Sequence, residues 1–217
     1  MESIATPPPP SAMPVMWATE DTTTESVPRT YRWTRAEYEQ LARQGFFQGR
    51  RVERIDGEII EMSPIGDRHI ACVMLADDTL RHAFGPGYSF SVQNSFAANE
   101  NSDPEPDIAV VRGTIREAIA APLTPQVIVL IVEVSDTTLS YDRTIKASLY
   151  ASVGLSDYWV LCVQEKRSFL EVRRRPRPDA DARFGWAYDE VTVYRAGDTV
   201  SPLARPEARI LVSDLLL

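Results

Sequence analysis

The stretch Val127–Asp136, VIVLIVEVSD, decides how the rest of the chain is read. Seven of its first eight residues are aliphatic and mostly β-branched, the composition of a strand covered on both faces. Glu133 interrupts that run. A lone carboxylate in an apolar interior must be paired, protonated or bound to a cation, because an uncompensated buried charge costs many kcal/mol.

Working outward, DRTIKASLYASVG (142–154) has the pattern of a helix and DYWVLCV (157–163) that of a strand. Upstream, the apolar strand DIAVV (107–111) follows the turn-rich ANENSDPEP, and a loop or short helix separates it from Val127. YSFSVQNSF (88–96) reads as a further strand. DRHIACVMLADDTLRHAFG (67–85) places Ile70, Val73, Met74, Leu80 and Phe84 at helical spacing, with Gly85 just past the end. RVERIDGEIIEMSP (51–64) is a hairpin around Asp56-Gly57, and TRAEYEQLARQG (34–45) a helix with a capping box from Thr34 to Glu37. The last forty-odd residues read as additional strands and turns. A buried strand followed by a helix and another strand implies a sheet covered on both faces, an α/β or α+β core.

Composition sets the bounds. The 217 residues suit one domain plus a tail, and 44% hydrophobic with 25% charged residues is an ordinary globular profile. Residues 1–30, rich in Pro, Thr, Ser and Glu, are expected to form a disordered or extended tail, and 31–217 a single domain. A net charge of −8 excludes general electrostatic attraction to nucleic acid, so phosphate binding requires a local patch. Cys72 and Cys162 lack metal-type spacing and read as reduced core residues. No basic-then-apolar leader is visible and no apolar run approaches the ~18 residues that span a bilayer, so a cytoplasmic protein is expected.

Three residues carry the chemistry. Asp107 follows Pro106 at the start of one strand, Glu133 lies within another, and Lys146 comes in the first turns of the next helix. If the strands are neighbours, the two carboxylates meet at one end of the sheet, where they raise at least one pKa unless a divalent cation neutralises them. Oxygen ligands with little His or Cys nearby favour Mg²⁺ or Mn²⁺ over Zn²⁺. A lysine ammonium beside them could orient an attacking water or stabilise phosphoryl charge.

At these residues the sequence resembles the Uma-type restriction endonuclease family, a branch of the PD-(D/E)XK nuclease superfamily. EPD (105–107), VEVSD (132–136), YDRTIK (141–146) and ASVGLSDYWVL (151–161) carry the resemblance, with RVERIDGEIIEMSP and the downstream His69 matching the family's first hairpin and helix. It covers about residues 31–217 and implies a restriction-endonuclease-like core, a central mixed sheet flanked by helices. On that reading Asp107 and Glu133 are the paired metal-binding acids. Ser135 stands where the superfamily pattern has its lysine, and Lys146 matches the lysine displaced to the next helix. Glu53 matches an acidic position of the first hairpin and could support a second cation or a water.

Each residue also has a plainer reading. Glu133 could end an edge-facing strand, paired with Lys146 or Arg143; Asp107 could be a turn residue after proline. Lys146 could be a solvated helix residue or a salt-bridge partner without catalysis. Alternation sets Glu53 and Ile55 against Val52 and Arg54, so neither face of that strand is clearly the core. His69 could be a cap-proximal or surface residue, with an accessory site role as the alternative. Tyr141 and Asp142 read as the start of the Lys146 helix, Asp142 complementing the macrodipole. EKRSFLEVRRRPRP (165–178), with Arg173, Arg174 and Arg175, is the one concentrated basic segment, either a phosphate contact or a solvated strand.

Two functions follow. The first is a Mg²⁺-dependent endonuclease acting on nucleic acid, DNA foremost, with Asp107 and Glu133 on the metal, Lys146 on the water and Glu53 assisting. The second is a non-catalytic module that keeps the nuclease fold to bind nucleic acid or a protein partner, a reading the displaced lysine and acidic charge favour. A homodimer would suit two-fold duplex cleavage, though no residue indicates one.

Overall fold

Thr34 opens the first helix through a complete capping box: its hydroxyl accepts from the Glu37 N–H, and the Glu37 carboxylate accepts from the Thr34 N–H. This starts α1 (Arg35–Arg43). The hairpin β1 (Val52–Ile55) and β2 (Glu58–Glu61) turns at Asp56 and Gly57, both with positive φ (52° and 72°), which matches the twist of the strands it joins.

The long helix α2 (Asp67–Phe84) corrects the expected apolar stripe. Cys72, Val73, Ala76, Leu80 and Phe84 are buried, whereas Ile70 is 46% and Met74 67% exposed. Spacing alone admitted either of two overlapping stripes, and the smaller residues Cys72 and Ala76 let the helix lie close to the sheet. Strand β3 (Tyr88–Val92) is shorter than the run to Phe96, because Gln93 adopts a positive φ of 51° and takes the chain out of the extended conformation.

There follow β4 (Ile108–Arg112), the short α3 (Ile115–Ile119) and β5 (Ile128–Ser135). After β5 the chain enters α4 (Leu139–Tyr141), passes through a π-helical turn at Asp142–Lys146 and continues as α5 (Ala147–Ser152). The remaining strands are β6 (Asp157–Gln164), β7 (Arg167–Pro178), β8 (Trp186–Tyr194) and the two-residue pair β9 (Thr199–Val200) and β10 (Ile210–Leu211). The structure is a computed structural model that describes residues 28–120, 123–165 and 167–217. Of the expected tail, residues 1–27 lie outside that description. Residues 31–217 form one compact unit.

Six strands make the central sheet, in the order β3-β4-β5-β6-β7-β8. Neighbours are antiparallel except β5 and β6, which are parallel because the helical crossover between them returns the chain to the same end. Alternation sorts the side chains. Leu130, Val132 and Val134 of β5 pack on the α2 side with Trp159 and Leu161, while Ile131 faces the α5 side with Tyr158 and Val160. Glu133, of the same parity as Ile131, therefore faces the α5 side. Cys72 and Cys162 are free and buried. No helix among the described residues is long and apolar enough to cross a membrane.

Candidate active site

Register brings the two acids together. Ile108 of β4 pairs with Val132 of β5, so Asp107, one residue earlier, falls opposite Glu133 at the end of the sheet. The Val134 N–H donates to Asp107 Oδ2 (2.8 Å), and the Asp107 N–H lies 3.4 Å from Glu133 Oε2. Opposed residues of an antiparallel pair point to the same face. The carboxylates, twenty-six positions apart in the chain, thus share one corner.

Lys146 completes that corner. The crossover after β5 turns back over the sheet, and the π turn places Lys146 Nζ 3.0 Å from Glu133 Oε1 and 3.2 Å from Glu53 Oε2. Wide π turns recur at functional sites because they redirect side chains that a regular helix would point elsewhere. The Glu105 carbonyl is a weak third acceptor for Nζ at 3.5 Å. Two phenols close the cluster: Tyr150 OH donates to Glu133 Oε1 (2.6 Å) and Tyr141 OH to Glu53 Oε1 (2.9 Å). Burial and the adjacent carboxylates push both tyrosines above their ordinary pKa, so they remain donors.

Glu53 is buried because both faces of β1 are covered. Its own side meets Lys146 and Tyr141, and on the other side Arg54, fully buried, bonds Asp103 at 2.7 Å and the carbonyls of Trp33 and Glu100. Alternation could not distinguish the faces because each presents a buried charged group.

Asp142 departs from its expected role at a helix start. The helix begins earlier, and the buried Asp142 carboxylate accepts from Ser135 Oγ (2.6 Å) and Thr138 Oγ1 (2.7 Å). Ser135, at the position where the superfamily pattern has lysine, thus anchors the turn that delivers Lys146.

The electrostatic balance is lopsided. Glu53, Asp107, Glu133 and Asp142 are each at most 5% exposed, and Lys146, at 2%, is the one buried ammonium among them. Burial pushes the Glu133 carboxyl up to about 8, against the attraction of Lys146. Burial also raises Asp142, despite Lys146 and the two hydroxyls. For Asp107 burial is outweighed by His69 and the Val134 N–H, which hold it below the usual carboxylate range. Burial pulls Lys146 down, but the surrounding carboxylates outweigh it and keep the ammonium well above its ordinary value.

Asp107, Glu133, Asp142, Lys146 and His69 all line a pocket of about 70 Å³. His69 Nε2 lies 2.9 Å from Asp107 Oδ1, an oxygen that also accepts from Gln93 Nε2 at 3.2 Å. Arg173, Arg174 and Arg175 do not line this pocket. They sit on β7 in ion pairs with Glu171, with Asp157, and with Asp189 and Glu190 respectively. Among the partners not anticipated, Tyr150 had a signal, four residues after Lys146 and so on the same helical face. Tyr141 opens the YDRTIK motif, but neither its partner Glu53 nor the contact of Gln93 with Asp107 had a signal, since each arises by tertiary packing.

A family model described as "Uma2: Putative restriction endonuclease" matches residues 35–213, spanning Glu53, Asp107, Glu133 and Lys146. The chain belongs to the Uma2 family. The same arrangement of sheet and helices occurs in a crystal structure described as a "putative nuclease" from Anabaena variabilis. That structure is similar with a TM-score of 0.51 and 16% identity over 76% of this chain and 88% of that one. At that identity the likeness establishes a shared nuclease-type fold for this Uma2 protein. No curated protein matches the chain.

Proposed function

We propose that this Uma2 protein is an endonuclease that hydrolyses phosphodiester bonds of nucleic acid, with Mg²⁺ or Mn²⁺ held by Asp107 and Glu133. The observation that carries the reading is the excess of buried acids: four buried carboxyl groups surround one buried ammonium beside an open pocket. A purely structural ion pair would be balanced, since excess buried charge is costly. DNA is the substrate of choice because the family description is that of a restriction endonuclease.

The donor set fits such an ion. Mg²⁺ keeps several waters and is bound through one or two carboxylates plus substrate phosphate, whereas zinc takes three or four protein ligands. Among the described residues no group of three His, Cys, Asp or Glu forms a ready-made cage, and Asp107 with Glu133 supplies the pair that Mg²⁺ needs. When bound, the cation would polarise the phosphoryl oxygens and lower the pKa of a water.

The chain's own groups do the rest. Glu53 and Glu133 fix the Lys146 ammonium, and its weak third bond to the Glu105 carbonyl is readily exchanged for a water or phosphoryl oxygen. His69 holds Asp107 in orientation, and Tyr150 holds Glu133. A two-fold dimer would present two such sites to a duplex.

The test is nicking of supercoiled plasmid in Mg²⁺ or Mn²⁺, comparing the wild type with Glu133→Gln. A loss of about a hundredfold or more in the variant is expected, in line with removal of a preorganised charge at the reaction centre. Equal rates would remove Glu133 from the mechanism. Wild type that binds no Mn²⁺ by calorimetry and nicks nothing would leave only a binding module on this fold.

A further inference from the structure

The π turn has a second face. Asp142 and Lys146 line the acidic pocket, whereas Arg143, Thr144, Ile145 and Ala147 line a separate pocket of about 520 Å³, so this one turn is a wall common to both. Opposite strand residues contribute Arg173 and Trp186, the latter 36% exposed. On the α5-facing side of β7, the buried Glu171 is bonded by both Arg143 and Arg173. Two guanidiniums sharing one carboxylate leave a positive charge in excess, in a protein whose net charge is −8. The Nε–H of Arg143 is also buried with no acceptor among the described residues.

We propose that this second pocket takes a nucleotide of the substrate strand next to the cleaved bond, its phosphate against Arg143 and Arg173 and its base on the Trp186 indole. Guanidinium forks suit phosphate oxygens, and an accessible aromatic face accepts any base by stacking. The inference rests on the nuclease reading of the acidic pocket, from which it is separated by a single helical turn. It also singles out one arginine of the basic segment. Arg174 is tied to Asp157 and the Ser201 carbonyl, and Arg175 to exposed acids of β8, so only Arg173 of the three lines this pocket. Asp181, also on the lining, disfavours a doubly charged group there and suits the single charge of a phosphodiester.

The experiment measures anisotropy of a labelled, phosphorothioate single-stranded oligonucleotide in Mg²⁺ with the full chain. The variants are Trp186→Ala, Arg173→Met and, as a control, Arg43→Met on α1, which is 70% exposed. Trp186→Ala and Arg173→Met are each expected to weaken binding about fivefold or more, the low end for loss of a stacked base, with Arg43→Met within about twofold. Arg173→Met leaves Glu171 paired with Arg143, and thermal melting confirms that the variant folds; Trp186→Ala decides the matter if it does not. Wild-type affinity in both variants would overturn the pocket while leaving plasmid nicking untouched. Loss of binding in the variants alongside a wild type that never nicks would keep the pocket and reject hydrolysis. A wild type that binds no oligonucleotide would overturn the pocket outright.

Discussion

Replacing Glu133 by glutamine is expected to stabilise the metal-free protein at neutral pH even as it removes nicking. The carboxyl has an ordinary value of 4.5 and is pushed up by burial to about 8. Each pKa unit is worth about 1.4 kcal/mol. Burying this carboxyl therefore costs the folded state up to about 5 kcal/mol above pH 8, where it stays ionised, and about 3 kcal/mol at pH 7, where it has mostly taken up a proton. The folded protein binds this proton more tightly than the unfolded chain does. The penalty is accordingly absent below the unfolded value, grows as pH rises between the two values, and is complete above the folded one. Glutamine escapes it while keeping an acceptor for Lys146 and Tyr150, and the attraction of Lys146 is already contained in the value of about 8; imperfect replacement of the two hydrogen bonds leaves a net gain of about 1–3 kcal/mol at pH 7–8. For a chain of this size that is about 2–4 °C in Tm per kcal/mol. Calorimetric melting in EDTA at pH 5, 7 and 8 should show the advantage of the variant widening with pH. Adding Mg²⁺ should then raise the Tm of the wild type, by about 2.7 kcal/mol of stability at a hundred times Kd, and leave the variant unmoved. A variant less stable than wild type by the same amount at every pH would refute the reasoning.

Two further outcomes follow from the same cluster. Lys146→Met leaves Glu53 and Glu133 facing each other without their cation and should cost about 3–5 kcal/mol in urea unfolding, part of it recovered by adding Glu53→Gln; a loss under about 1 kcal/mol would contradict the ion-pair geometry. Tyr150→Phe removes a hydrogen bond that favours the ionised form of Glu133, so the pH at which Mn²⁺ binding sets in, followed by calorimetry, should move up by about one unit. An unmoved onset would show that the phenol has no hold on that carboxylate.

The elements were legible where chemistry is local. The capping box at Thr34, the Asp56-Gly57 turn and the aliphatic run of β5 specify their conformations through short-range sterics and hydrogen bonds, and all three form as read. The pairing of Asp107 with Glu133 was also accessible, since each opens or interrupts an apolar strand and adjacent strands bring such positions level. Three features depended on tertiary structure. Helix α2 buries Cys72 and Ala76 in place of Ile70 and Met74 because close approach to the sheet favours small residues. Arg54 and Glu53 are buried on opposite faces of one strand because separate segments cover each, which alternation cannot encode. The charge imbalance arises because the crossover, bent by its π turn, delivers one ammonium to carboxyl groups contributed by β1, by the residue before β4, by β5 and by the turn itself. Sequence determines which residues can carry charge and which backbone each favours, whereas desolvation and Coulomb energies depend on distances and burial that exist only once remote segments have packed.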